Sequence, residues 1–209
     1  MSFDRLAPGY DWMEKILAGK KLHACRTAYL NQLNVPTVLL LGEGHGQFLR
    51  ELLKCPDPRS IVCLDSSSGM LAVAKRKIGS DPRVTFQMQE VFSFAPPHPF
   101  HAVTTHFFLD CFTREQHEIL LPRIHSWLLP GGLWHIADFQ VPRPWFRRVR
   151  AKLVLAMAYT FFRLVTRLPA RRIIPPQPTL QSLGMTLLDR REFNFGLLYS
   201  ELWQKGANP

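Results

Sequence analysis

The stretch Thr37-Val38-Leu39-Leu40-Leu41-Gly42-Glu43-Gly44-His45-Gly46-Gln47-Phe48 decides how the chain is read. An unbroken apolar run, Val38 to Leu41, has the pattern of a strand buried on both faces. Three glycines follow at alternate positions, and Gln47 to Lys54 then has helical character. Glycines at such a turn admit positive φ and let a ligand reach main-chain atoms that a Cβ would shield. Strand, tight turn and helix start in this order point to a nucleotide-like ligand.

Working outward, the same alternation continues on the C-terminal side. Ile61 to Asp65 reads as a second short strand ending in a carboxylate, with Ser66, Ser67 and Ser68 as N-cap candidates for a helix to Ile78. Val84 to Gln89 is a third strand and His101 to Leu109 a fourth. Thr113 with Gln116 has capping-box form and opens a helix reaching Leu128. Leu129-Pro-Gly-Gly132 reads as a turn before a fifth strand, Leu133 to Phe139. A short helix at Thr179 to Leu183 and strands at Met185 to Phe193 and Phe195 to Trp203 end the chain. On the N-terminal side, residues 1–33 read as a helical extension, with a break at Gly19 and a second helix from Lys20 to Leu33. Strands separated by helices at this spacing predict one α/β domain, a doubly wound and mostly parallel sheet with an antiparallel edge.

Composition fits a single domain: 209 residues, 46% hydrophobic and 20% charged. The net charge of +10 is concentrated. Between Phe139 and Leu188 there is no Asp or Glu, while nine cations lie there: Arg143, Arg147, Arg148, Arg150, Lys152, Arg163, Arg167, Arg171 and Arg172. Cys25, Cys55, Cys63 and Cys111 show no metal-ligand spacing and read as free thiols in a reducing compartment. No apolar run of about 18 residues occurs and the N-terminus lacks a signal-peptide pattern, so the expected location is cytoplasmic.

In a doubly wound sheet, ligands lie beyond the carboxyl ends of the strands. Asp65 follows Gly42 by 23 positions, which suits a carboxylate accepting from both ribose hydroxyls. The glycines run G-x-G-x-G, and Gln47 stands where the dinucleotide pattern needs its third glycine. The run Leu40-Leu41-Gly42-Glu43-Gly44-His45-Gly46, the acid in Leu64-Asp65-Ser66, the aromatic and acidic cluster after the fourth strand and Leu129-Pro-Gly-Gly together resemble a class I S-adenosylmethionine-dependent methyltransferase. Phe3-Asp4, Ala7 and Tyr10-Asp11 are similar to the opening of the ubiquinone/menaquinone-biosynthesis type.

The resemblance implies a Rossmann-like seven-stranded sheet ordered 3-2-1-4-5-7-6 with strand 7 antiparallel, and S-adenosylmethionine as cofactor. By position, Gly42, Gly44 and Gly46 would cradle its methionine part, Asp65 with Ser66 its ribose, and Glu90 and Val91 its adenine. Thr105 and His106 would line the reaction side, and Tyr10 would close the site from the N-terminal lid. The family usually carries an acid two residues before the first glycine. Here that residue is Leu40, and Glu43 is the substitute for holding the cofactor's amino group.

Methyl transfer from a sulfonium needs alignment and exclusion of water. Aromatic faces suit the cation, at roughly 0.5–2 kcal/mol each. Tyr10, Trp12, Phe107, Phe108 and Phe112 are the candidates, against the alternative that they are core. If the acceptor must lose a proton, His106 and Asp110 are the favoured bases, ahead of His135 and Asp138. No metal is expected.

The segment 140–178 reads as a basic and apolar insertion. It suits a lid over a small, hydrophobic or lipid-like acceptor, a helix on an anionic membrane surface, or a packed helix with solvated ends. Nucleic acid is supported by charge alone. An RNA or protein methyltransferase and a non-catalytic cofactor-binding protein are the rival functions.

Overall fold

A computed structural model describes residues 19–142, 145, 151 and 173–207. The expected lid residues Tyr10 and Trp12 and most of the basic insertion lie outside the described residues. In chain order the elements are α1 (Gly19–Arg26), β1 (Thr37–Leu41), α2 (Gln47–Leu52), β2 (Ser60–Asp65), α3 (Ser68–Ile78), β3 (Val84–Met88) and β4 (Phe100–His106). They continue with α4 (Arg114–Ser126), β5 (Leu128–Phe139), α5 (Gln177–Ser182), β6 (Thr186–Phe193) and β7 (Leu198–Gln204).

The seven strands form one sheet in the order β3-β2-β1-β4-β5-β7-β6. β1 pairs in parallel with β2 and β4, β2 with β3 and β4 with β5, while β7 runs antiparallel to β5 and β6. The order and the antiparallel β7 are those expected. The two sheet faces explain the unbroken apolar run of β1. Leu39 and Leu41 pack with Val103, Trp134, Leu120 and Ile124 on the α4 side. Val38 and Leu40 pack with Tyr29, Phe48, Leu49 and Leu202 on the α2 side. Both residue sets are apolar because a central parallel strand has no solvent face. Leu40, at the position where the family usually carries an acid, is fully buried in that second cluster.

The caps follow the sequence closely. Ser67 accepts from the Met70 N–H at the start of α3, and Thr113 and Gln116 form a reciprocal capping box on α4.

Several boundaries differ from expectation. The last strand begins at Leu198 rather than Phe195, because Asn194–Gly196 form a 3-10 turn with Phe195 at φ 58°. The helix expected over residues 20–33 stops at Arg26, where the Thr27 hydroxyl donates to the His23 carbonyl; a separate 3-10 turn, Leu30–Leu33, then buries Leu33. Such local side-chain bonding competes with helix continuation. β4 ends at His106 rather than Leu109, because Phe107 turns to φ 52°. β5 begins at Leu128, so Leu129-Pro-Gly-Gly132 is an irregular part of that strand. The pairing slips between Phe100↔Leu128 and Ala102↔Leu133 to accommodate it.

Candidate functional site

The glycine turn joins β1 to α2 at the carboxyl edge of the sheet. Gly42, Gly44 and Gly46 all have positive φ, between 64° and 77°. Their surroundings differ. A Cβ on Gly44 would meet nothing within 4 Å, whereas one on Gly42 would lie 2.3 Å from Cδ2 of Phe108. Gly44 therefore opens into a recess, and Gly42 is the floor on which the Phe108 ring rests. Gly46 packs against Ala74 of α3.

Asp65, at the end of β2, ties this turn to the next strand. Its Oδ2 accepts from the Gly44 N–H at 3.2 Å and its Oδ1 from the Ser67 N–H at 2.9 Å. The recess beside it is lined by Gly42, Gly44, Leu64, Asp65, Ser66, Met70, Gln89, Glu90, Val91, Phe107, Phe108, Cys111 and Phe112. Its volume is about 100 Å³. A carboxylate on one wall, a buried Val91 on another and a bare glycine main chain at the base fit a ribose, a base and an extended amino-acid tail.

The expected residues divide into two groups. Gly42, Gly44, Asp65, Ser66, Glu90 and Val91 meet at this recess. Glu43, Thr105, His106 and Asp110 are not on its wall. The Glu43 Oε1 accepts from the N–H groups of Phe48 and Leu49, at 2.7 and 3.0 Å. It thereby caps α2, whose first turn has orphan donors. Thr105 is fully buried and accepts from the Trp134 indole N–H at 3.0 Å. Gly46 acts as the N-cap residue of α2, and Tyr10 lies outside the described residues. Sequence reasoning missed Gln89, Met70 and Cys111. Gln89 follows the end of β3, a strand-end position that could have found it; Met70 and Cys111 reach the recess only through the packing of α3 and of the turn after β4.

His106 belongs to a buried chain. Its Nε2 lies 2.9 Å from Nδ1 of His135, whose Nε2 lies 2.8 Å from the Ser200 Oγ. Phe48 packs edge-on to the His106 ring at 4.6 Å. Burial, then His135, then Arg26 hold the His106 imidazole well below its ordinary value. Burial pushes His135 down to about 3. Both rings are neutral near pH 7.

Asp110 and Asp138 come together at the ends of β4 and β5. The Asp110 N–H donates to Oδ2 of Asp138 at 3.1 Å, and the Phe139 N–H to its Oδ1 at 2.8 Å. Asp110 is half-buried and accepts from the Cys111 thiol at 3.6 Å. Burial pushes Asp110 up to about 6. Burial and the neighbouring Asp110 raise Asp138 well above the carboxylate range.

A family model described as "Methyltransferase domain" matches residues 38–132. The match spans β1 to the first part of β5, and so includes the glycine turn, Asp65 and the turn after β4. Over these residues the chain is similar to a methyltransferase domain. The solved structures similar to the chain share the methyltransferase fold at low identity. The N-methyltransferase NodS from Bradyrhizobium japonicum WM9 is 13% identical, with 87% of this chain and 94% of that one covered at a TM-score of 0.64. The 1,6-didemethyltoxoflavin-N1-methyltransferase of Burkholderia thailandensis, solved with 1,6-didemethyltoxoflavin and S-adenosylhomocysteine bound, is 18% identical, with 97% and 86% covered at 0.68. Magnesium protoporphyrin IX methyltransferase (ChlM) from Synechocystis PCC 6803, with bound SAH, is 14% identical, with 91% and 84% covered at 0.66. No curated protein matches the chain.

Residues that carry the resemblance to the ubiquinone/menaquinone type, Phe3, Asp4, Ala7, Tyr10 and Asp11, lie outside the described residues. Among the described residues no helix is long and apolar enough to cross a membrane. No group of three or more His, Cys, Asp or Glu among them could hold a metal ion.

Proposed function

We propose that this chain moves the methyl group of S-adenosylmethionine to a small, hydrophobic acceptor, with Asp110 receiving the acceptor's proton. The observation that carries the reading is the Asp65 carboxylate at the end of β2, hydrogen-bonded to the Gly44 N–H and facing a recess with a bare glycine base. When bound, S-adenosylmethionine supplies a methyl group on a sulfonium, already activated for in-line displacement. The protein's share is alignment, charge and dryness. Asp65 and Ser66 hold the ribose side. Val91 packs against the base, with Glu90 beside it. The Gly42 and Gly44 main chain faces the amino-acid tail.

Phe107, Phe108 and Phe112 form an aromatic wall at the reacting end. A cation next to such faces gains roughly 0.5–2 kcal/mol, and the rings exclude water from the reaction path. They also favour an apolar acceptor over a nucleic acid. Phe107 packs at a tilt against Phe139 with centroids 5.1 Å apart, which extends the apolar surface toward the end of β5.

Between the two expected bases, Asp110 fits and His106 does not. A base works best with a value near the operating pH, and Asp110 at about 6 meets that. His106 is buried, depressed and engaged with His135.

The test is a thermal melt with S-adenosylmethionine and with S-adenosylhomocysteine. Both raise the melting temperature of the wild type and neither raises that of Asp65→Ala. Stabilisation by NAD instead overturns the reading.

A further inference from the structure

A second cavity opens at the ends of β5 and β6 and the start of β7. Its volume is about 690 Å³, within the range of small-molecule sites. It adjoins the recess through two aromatic rings. Phe139 lines the cavity and packs against Phe107, which lines the recess, with centroids 5.1 Å apart. Val141, Pro142 and Ile173 continue the apolar wall that Phe139 begins.

The charged groups of this cavity satisfy one another. Arg190 donates to Glu201 and to Gln140, and its guanidinium lies over the Tyr199 ring, 4.9 Å from the centroid. Gln140 in turn donates to Glu192 at 2.9 Å. One cation therefore stands against two carboxylates, Glu201 and Glu192. Among the described lining residues no second cation answers a ligand carboxylate or phosphate, and burying an anion there without a partner is costly.

Two polar atoms are left over instead. Glu201 is fully buried and accepts from the Gln177 Nε2 with both oxygens, at 3.1 Å each. A carboxylate only accepts, so the Gln177 amide is held in one orientation and its Oε1 remains free. Tyr199 is 3% exposed, and its hydroxyl makes no hydrogen bond among the described residues. That hydroxyl is nevertheless not sealed from solvent, so it opens on the cavity that Tyr199 lines. A polar atom buried this far and left unsatisfied costs stability. A ligand group that accepts from the phenol and donates to the amide oxygen satisfies both.

We propose that this cavity holds the methyl acceptor, and that the acceptor is an uncharged apolar molecule whose hydroxyl or uncharged N–H group binds between Tyr199 and Gln177. The inference rests on the methyltransferase reading and names the acceptor class for it. Tyr199 and Gln177 determine specificity: the phenol O–H donates to the acceptor's heteroatom, and the Gln177 Oε1 accepts its proton-bearing bond. The apolar walls take the body of the molecule, and the engaged Arg190 leaves acids unrewarded.

The experiment is a methyl NMR titration of the whole chain labelled at isoleucine, in the presence of S-adenosylhomocysteine, with three ligands of matched shape: naphthol, its methyl ether and naphthoate. Naphthol is expected to move the Ile173 signal, which reports the cavity, and to leave Ile61 of β2 in place. The methyl ether, which lacks the O–H, binds about 3- to 10-fold more weakly, and naphthol binds Tyr199→Phe more weakly by a similar factor. Naphthoate binds about tenfold or more below naphthol. The comparison of naphthol with its ether in wild type keeps the test open if Tyr199→Phe does not fold. An unmoved Ile173 signal, naphthoate binding as tightly as naphthol, or equal naphthol binding by wild type and a folded Tyr199→Phe overturns the proposal. The same samples are melted with and without S-adenosylhomocysteine. Stabilisation without a naphthol response sinks the cavity alone, whereas a naphthol response without stabilisation sinks the methyltransferase reading and the acceptor role with it.

Discussion

The Phe108 ring lies directly on Gly42, so close that a Cβ there would come within 2.3 Å of the ring. Gly42 also has φ 64°, so a side chain is resisted both by the backbone and by the ring. Gly42→Ala is expected to cost about 2–4 kcal/mol, from left-handed strain and overpacking together. Adding Phe108→Ala recovers part of that loss, a non-additivity that a double-mutant cycle of urea melts reads directly. Gly44→Ala shares the strain but has open space. It costs only about 1 kcal/mol of stability and instead weakens the S-adenosylhomocysteine melt shift.

Removing the two expected bases separates them. With an acceptor found by screening lipids and quinone-like metabolites against methyl-labelled cofactor, Asp110→Asn lowers kcat by about 10²–10⁴-fold. His106→Gln retains most of kcat. Equal turnover in both variants leaves alignment as the source of catalysis.

Two buried histidines give a signed pH dependence of stability. His106 and His135 have folded values below their ordinary 6.5, so the unfolded chain binds protons first as the pH falls. Stability therefore drops from pH 6.5 down toward about 3, the His135 value, by about 1.4 kcal/mol per pH unit for each histidine. Asp110 acts in the opposite sense. Its folded value, raised from 3.8 to about 6, removes stability as the pH rises through that window. Urea unfolding between pH 4 and 8 is expected to show a shallower acid slope in His135→Gln and a more stable Asp110→Asn at pH 7.5.

Glu201 is fully buried in β7, where it accepts from Arg190, Gln177 and the Trp203 indole. Arg190→Met strands that carboxylate and is expected to destabilise by about 3–5 kcal/mol. Adding Glu201→Gln restores most of the loss in chemical unfolding, since the buried charge is then gone.

The basic segment, whose residues 143–144, 146–150 and 152–172 lie outside the described residues, is tested by binding. Sedimentation with anionic vesicles and binding to RNA at matched salt separate the readings. Vesicle binding that weakens with salt is the expected result, and salt-sensitive RNA binding without vesicle binding reverses it.

The recess was partly legible in the sequence because its main elements are local. Asp65 and the glycines announce themselves by strand ends and spacing, and Thr113 with Gln116 by capping chemistry. Glu43 was misleading for a local reason as well. A carboxylate just before a helix start can serve a ligand or the helix, and here the nearer backbone donors of Phe48 and Leu49 hold it. His106 and Asp110 stand four residues apart after the same strand. Only the tertiary structure shows that one is locked against His135 in the sheet interior and the other sits half-buried beside Asp138.

By itself the sequence determined the order of strands, turns and helices and the ligand end of the sheet, since periodicity and turn chemistry act over a few residues. The tertiary structure decided which side chains meet. Asp110 finds Asp138, His106 finds His135 and Gly42 receives Phe108 through strand register and the turn of Phe107 to positive φ. Those contacts join residues far apart in the chain. Their proton affinities follow from shared burial and mutual charge, which no single stretch of sequence contains.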